Sequence, residues 1–101
     1  MTNCAYKVIL TDEANDMLIG HVSFLAQASR SAARVLHCDL LAKIQGLGQT
    51  PYLYPVFYSG NLEAEYHKLV YKRYLILYSI EEKEKTILVK CIWDTRMDNS
   101  P

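Results

Sequence analysis

The window Tyr66-His67-Lys68-Leu69-Val70-Tyr71-Lys72-Arg73-Tyr74 holds three permanent cations, a histidine and three tyrosines, with no carboxylate among them. Basic side chains clamp phosphate oxygens, tyrosine faces stack on bases, and an imidazole moves a proton near neutral pH. A metal-free cleavage of RNA needs such groups, because a 2′-oxygen must attack and the pentavalent phosphate must be neutralised. The same residues also suit a sheet that does no chemistry. Lys and Arg beside a hairpin oppose edge-to-edge pairing, and tyrosine is a favoured strand residue.

Other reactive sets are weaker. Glu63 and Glu65 share one side of a predicted strand, but Glu81, Glu82 and Glu84 interleave with Lys83 and Lys85 as a solvated hairpin end does. No G-x-S-x-G elbow, phosphate-binding loop or G-x-G-x-x-G run occurs. His37, Cys38 and Asp39 are consecutive, and on a helix their side chains point about 100° apart, so they cannot converge on one ion. His21 lies among apolar helix residues, where partial burial with an ordinary hydrogen bond is expected. These residues call for no metal and no cofactor.

The elements that must position the basic window belong to a chain of 101 residues, half of them apolar, with 11 Lys plus Arg against 11 Asp plus Glu. Such a length buries roughly two-thirds of the unfolded surface, enough for one domain without a disulfide or metal staple. Formal neutrality removes the usual electrostatic signature of a nucleic-acid binder, so any such role rests on local charge. Cys4, Cys38 and Cys91 are scattered and odd in number, as in a reduced protein. Apolar stretches such as Tyr74 to Ile80 fall short of the ~20 residues that cross a bilayer, and the first residues carry no basic-then-apolar leader. A cytoplasmic protein without a membrane partner is expected.

Residues Ala5 to Leu10 read as a strand. Thr11 is a helix N-cap, with Asp12, Glu13 and Asp16 at the positive end of the dipole, and Ala14, Met17, Leu18, Val22, Leu25 and Ala28 mark one face of a helix of about 16 residues. Ser29 to Ser31 begin a second helix with Ala33, Leu36, Leu40, Ile44 and Leu47 on one face, and Gly46 and Gly48 are expected to end it with left-handed cap geometry. The stretch Gln49 to Leu62 is a loop whose aromatic content predicts that it packs on something. Glu65 to Tyr71, Tyr74 to Glu81 and Thr86 to Trp93 then alternate with period two and form an antiparallel meander. The expected architecture is an α+β domain, β-α-α-β-β-β, with a helix hairpin packed on an antiparallel sheet of about four strands.

The whole chain resembles the RelE/ParE superfamily of bacterial type II toxins. The resemblance lies in Tyr6-Lys7-Val8-Ile9-Leu10-Thr11-Asp12-Glu13-Ala14, in Ala32-Ala33 with Ile44-Gln45-Gly46-Leu47 leading to Pro51, in Lys72-Arg73-Tyr74-Leu75-Ile76-Leu77-Tyr78-Ser79-Ile80, and in Ile92-Trp93-Asp94-Thr95-Arg96-Met97-Asp98. It spans about residues 5 to 98 of a single domain with a short tail, and it implies the same fold. It also implies a cognate antitoxin as partner, in a toxin–antitoxin hetero-oligomer, and a target that is either DNA gyrase or ribosome-bound mRNA.

In the nuclease branch, cations on three strands surround the scissile phosphate, and Lys68 and Arg96 fall at two such places. Tyr66 and Leu75 occupy positions where that branch carries charge, and each missing charge-assisted contact costs about 1.5 to 3 kcal/mol. Arg73 is the remaining candidate for support. Alternation turns His67 away from Lys68 and places Leu75 and Leu77 on the outer sheet face with Tyr66, Lys68 and Lys90, an apolar patch rimmed by cations. That patch suits an antitoxin segment with acidic and apolar residues, unless Tyr52, Tyr54 and Phe57 fold over it. The leading expectation is a toxin that inhibits growth by binding a target such as gyrase. The alternatives are an mRNA endonuclease using Lys68, Arg96 and Arg73, and an inactive antitoxin-binding relative.

Overall fold

Lys7–Leu10 alternates exposed and half-buried side chains and forms strand β1 in a computed structural model that describes residues 5–57 and 65–96. Thr11 turns the chain into helix α1, Asp12–Ala26: its Oγ1 accepts from the Ala14 N–H at 3.1 Å and donates to the Val89 carbonyl at 3.0 Å. One threonine thus caps the helix and ties its start to the sheet. Ser29 caps helix α2, Arg30–Gly46, by accepting from the Ala32 N–H at 3.1 Å.

The end of α2 differs from the sequence expectation. Gly46 is still helical and neither it nor Gly48 adopts a positive φ; the chain leaves through tight three-residue turns, with Leu47 N–H to Ile44 O at 3.1 Å and Gly48 N–H to Gln45 O at 3.2 Å. Gly48 is instead required by space, since a Cβ there would lie 2.6 Å from the Tyr6 carbonyl oxygen.

Strands β2 (Val56–Phe57), β3 (Tyr66–Tyr71), β4 (Tyr74–Glu81) and β5 (Thr86–Asp94) complete one five-stranded sheet in the order β1-β5-β4-β3-β2. The three expected strands are present within a residue at each end. The sheet is mixed, however, because β1 runs parallel to β5, which the helical crossover permits. The aromatic loop supplies the additional edge strand β2, paired with His67 and Tyr66. Glu63, of the expected carboxylate pair, lies outside the described residues.

The sheet face turned to the helices carries Leu69, Tyr74, Ile76, Tyr78, Ile87, Val89 and Ile92, all buried against Ala14, Leu18, Leu36, Leu40 and Ile44. Between Leu77↔Cys91 and Tyr78↔Val89 the register slips, leaving Lys90 as a bulge and keeping both Val89 and Ile92 in this core. His21 is half-buried with its Nε2 2.7 Å from the Ile92 carbonyl, as its apolar surroundings predict.

Three separate segments meet at Glu82 in the β4–β5 turn. The Tyr6 hydroxyl donates to Oε2 at 2.6 Å, the Tyr52 hydroxyl donates to the same oxygen, and Lys85 Nζ lies 3.0 Å from Oε1. The Tyr52 hydroxyl, then that of Tyr6, then Lys85 hold the Glu82 carboxyl down at about 2, below its ordinary 4.5. A carboxyl depressed on folding stabilises the fold above its unfolded pKa and loses that contribution as pH falls through the folded one. Urea titrations of Glu82→Gln against the parent are therefore expected to diverge above pH 4.5 and to converge between pH 4.5 and about 2. A constant difference across that window would contradict this role.

Candidate functional site

The outer face of the sheet is the one that the helices leave uncovered. On β3 it presents Tyr66, Lys68 and Val70, because His67, Leu69 and Tyr71 pair with the core-facing residues Tyr78, Ile76 and Tyr74. On β4 it presents Leu75 and Leu77, opposite Val70 and Lys68, and on β5 Cys91 and Trp93, opposite Leu77 and Leu75. The register therefore brings Val70, Leu75 and Trp93 into one row across three strands, with Lys68, Leu77 and Cys91 in the next.

Val70 is 57% and Trp93 45% exposed, whereas Leu77 and Cys91 are buried. Burial pushes the Cys91 thiol up to about 11, so it is protonated near neutrality and inert as a nucleophile. Phe57 on β2 flanks Tyr66, and the Lys68 ammonium lies 6.0 Å from the Phe57 ring centroid. Lys68 is the sole lysine or arginine at an outward position of β3 or β4 among the described residues.

Arg73 goes elsewhere. The two-residue turn Lys72-Arg73 closes the Tyr71↔Tyr74 pair, with Lys72 at φ 55°, and Arg73 Nε lies 3.3 Å from Oδ2 of the buried Asp94, outside hydrogen-bonding geometry. Asp94 pairs with the core-facing Tyr74, so this ion pair lies on the helix side of the sheet end. Arg73 also borders a groove of about 380 Å³ with Leu25, Val35, Leu36 and Asp39. The Asp39 carboxylate accepts from the Tyr71 hydroxyl at 2.6 Å, while His37 and Cys38 point into solvent.

Arg96 follows β5, exposed, with its backbone N–H donating to Asp94 Oδ1 at 2.9 Å. Thr95 donates from both its N–H and its hydroxyl to the Arg73 carbonyl, each at 2.8 Å. Asp94 and Thr95 thereby fix where the chain bearing Arg96 leaves the sheet. Lys90, at the bulge, reaches Glu13 of α1 at 3.4 Å and stands outside the Leu75–Leu77–Lys68 set.

Of the residues expected on this face, Tyr66, Lys68, Leu75 and Leu77 come together and Lys90 stands apart; Arg73, the candidate for support, does not join them. Val70, Trp93 and Cys91 join the face without having been expected there, and Phe57, of the three aromatic loop residues considered as a cover, does reach it beside Tyr66 and Lys68. Strand register was the absent information, since alternation identifies faces within a strand and only pairing identifies neighbours across strands. Tyr52 and Tyr54 do not cover the leucines: the Tyr54 carbonyl accepts from His67 Nδ1 at 2.9 Å, and Tyr52 meets the His67 ring edge-on, both toward the helix-facing side.

Known proteins are similar to this chain in sequence family and in fold. The family described as "ParE toxin of type II toxin-antitoxin system, parDE" matches residues 8–99. Among solved structures, the toxin–antitoxin complex RelBE2 from Mycobacterium tuberculosis is similar, with a TM-score of 0.61 at 14% identity, covering 89% of this chain and 91% of that one. No curated protein matches by sequence. No helix among the described residues is long and apolar enough to cross a membrane.

Proposed function

The chain belongs to the ParE toxin family of type II toxin–antitoxin systems, and on that premise we propose that it arrests growth by binding DNA gyrase and is neutralised by a cognate antitoxin that covers the outer sheet face. The observation that carries this reading is the row Val70–Leu75–Trp93. Where phosphoryl cleavage needs converging cations, this face offers apolar side chains beside a single lysine, Lys68. Of the other two cations that a nuclease would call on, Arg73 is engaged with Asp94 on the helix side, and Arg96 follows the end of β5, beyond the row. Apolar area rimmed by charge favours association with a protein over stabilisation of a pentavalent phosphate.

Expression without the antitoxin is expected to stop growth and, in purified form, the protein is expected to inhibit gyrase supercoiling. Lys68→Ala and Arg96→Ala are expected to keep that inhibition. Cleavage within translated codons, abolished by the same two substitutions, would replace this reading with the mRNA endonuclease. Growth that continues unchanged would leave an antitoxin-binding module. For the antitoxin, Leu75→Glu places a charge in the middle of the apolar row and is expected to weaken binding by about 2 kcal/mol, roughly thirtyfold, in a titration of the purified pair. Unaltered affinity would remove the outer face from the antitoxin interface.

A further inference from the structure

The β3–β4 hairpin ends on the pair Tyr71↔Tyr74, and on its helix side these two rings face α2 across the groove of about 380 Å³. Asp39 and Tyr71 also line a second hollow of about 430 Å³, beside Ala42 and Lys43. Three cations converge on the tyrosine pair. Lys72 Nζ lies 5.5 Å and Lys43 Nζ 5.8 Å from the centroid of the Tyr71 ring, and the Arg73 Cζ lies 5.5 Å from that of Tyr74. Neither lysine is in an ion pair among the described residues. Arg73 stands beside Asp94, yet its Nε is shut off from solvent and has no hydrogen-bond partner among them. Asp39, the one carboxylate lining either hollow among the described residues, is already taken up by the Tyr71 hydroxyl at 2.6 Å. Beside the cations the wall is apolar, with Leu25 from the end of α1 and with Leu36 and the 56% exposed Val35 from α2.

We infer that this groove takes a segment of the antitoxin in which a carboxylate neighbours an apolar side chain. The carboxylate meets Arg73 and Lys72, and the apolar group covers Val35 and Leu36. Charge complementarity selects the first half of that description, because three cations stand here against a single lining carboxylate that is already hydrogen-bonded. Arg73 is held in place by Asp94 on one side and the Tyr74 ring on the other, so it meets an incoming carboxylate without first being ordered. The apolar wall selects the second half. A nucleic-acid backbone would satisfy the cations and leave Val35 and Leu36 in water, whereas an acidic and apolar peptide satisfies both. The groove is also continuous with the outer face: Val70↔Leu75 is the pair next to Tyr71↔Tyr74, so one chain covering the row Val70–Leu75–Trp93 reaches the groove by crossing the Lys72-Arg73 turn. The chemistry of the groove rests on these residues alone; the antitoxin as its occupant rests on the proposed function.

Titrating the purified chain with the blocked peptide acetyl-Leu-Glu-amide, followed by NMR, tests the groove without reference to toxicity. The methyl resonances of Val35 and Leu36 and the Arg73 Nε–H resonance are expected to shift and saturate. Acetyl-Leu-Gln-amide is expected to bind about tenfold more weakly. Lys72→Glu and Val35→Glu, both at exposed positions, are expected to weaken the acidic peptide and the purified antitoxin by about tenfold or more. Arg34→Glu makes the same change of net charge as Lys72→Glu at an exposed position outside the groove, and is expected to leave both affinities at the parent value. Equal binding of the two peptides, tighter binding of an oligothymidylate at the same residues, or antitoxin affinity unaltered by Lys72→Glu and Val35→Glu would each overturn the inference. Growth arrest by the parent chain and the effect of Leu75→Glu are measured separately, so failure of the groove and failure of the toxin reading are distinguishable.

Discussion

Tyr78→Ala is expected to lower the free energy of unfolding by about 3–5 kcal/mol. The phenol ring is fully buried in the centre of β4, packed between the sheet and the loop that follows α2. Its hydroxyl donates to the Pro51 carbonyl at 2.8 Å and its face stacks on His67. Alanine would leave a cavity, an unpaired carbonyl and an unsupported imidazole at once. A domain of this size has only about 5–15 kcal/mol of total stability, so the variant is expected to be partly unfolded in moderate urea. Tyr78→Phe keeps the ring and is expected to cost about 1–2 kcal/mol, the cost of losing the donor to Pro51. Burial pushes the Tyr78 hydroxyl up to about 12 from its ordinary 10. A group whose pKa rises on folding stabilises the fold below its unfolded pKa and loses that contribution as pH rises through the folded one. The parent should therefore lose stability between pH 10 and about 12, and Tyr78→Phe should lose less over that interval. Urea denaturation followed by circular dichroism reads both effects. A Tyr78→Ala variant within 1 kcal/mol of the parent would refute the packing argument, with about 2 kcal/mol as the lower limit for such truncations.

Much of this fold is written in local chemistry. Thr11 and Ser29 precede apolar stripes at helical spacing, and both cap as their types predict. Tyr74–Glu81 places Tyr74, Ile76 and Tyr78 in the helix-covered core and Leu75, Leu77 and Ser79 on the other face, although Leu77 is buried there as well. Features that depend on distant pairing were less accessible. The parallel partnership of β1 with β5 joins segments nearly eighty residues apart in sequence, and nothing in Lys7–Leu10 itself specifies that direction. The bulge at Lys90 is likewise invisible to alternation, which predicts an outward lysine beside Lys68; one unpaired residue sends it to Glu13 instead. At the candidate site, alternation correctly opposed His67 to Lys68 and placed Leu75 and Leu77 outward. Arg73 could not be placed, because a residue in a two-residue turn follows neither face and its direction is set by Asp94 across the sheet. The glycines after α2 differ for another reason: a helix end and a close backbone approach both select glycine, and only the folded chain separates the two.

Gly48→Ala is expected to destabilise the protein by about 2–3 kcal/mol, while the chemically identical change at Gly20 is expected to stabilise it by about 0.5–1 kcal/mol. Gly20 lies inside α1 with nothing within 4 Å of an added Cβ, so alanine there brings only its better helix propensity. At Gly48 the added carbon would lie 2.6 Å from the Tyr6 carbonyl oxygen, and within 3.4 Å of the Gln45 carbonyl oxygen and the Val8 Cγ2. The first of these obstacles is backbone and cannot rotate away. The Tyr6 N–H also donates to the Gly48 carbonyl at 2.9 Å, so the chain entering β1 and the chain leaving α2 are held in direct contact. Relief requires β1 to move outward, which lengthens the bonds from Lys7 N–H to Lys85 O at 2.9 Å and from Thr11 N–H to Val89 O at 3.1 Å. Faster amide exchange at Lys7 and Thr11 should therefore accompany the loss of stability, while amides in β3 and β4 exchange only as fast as global unfolding requires. If Gly48→Ala matched the parent in stability and exchange, β1 would have room to yield. Gly48 would then serve only to end the helix, which is what its place in the sequence suggested.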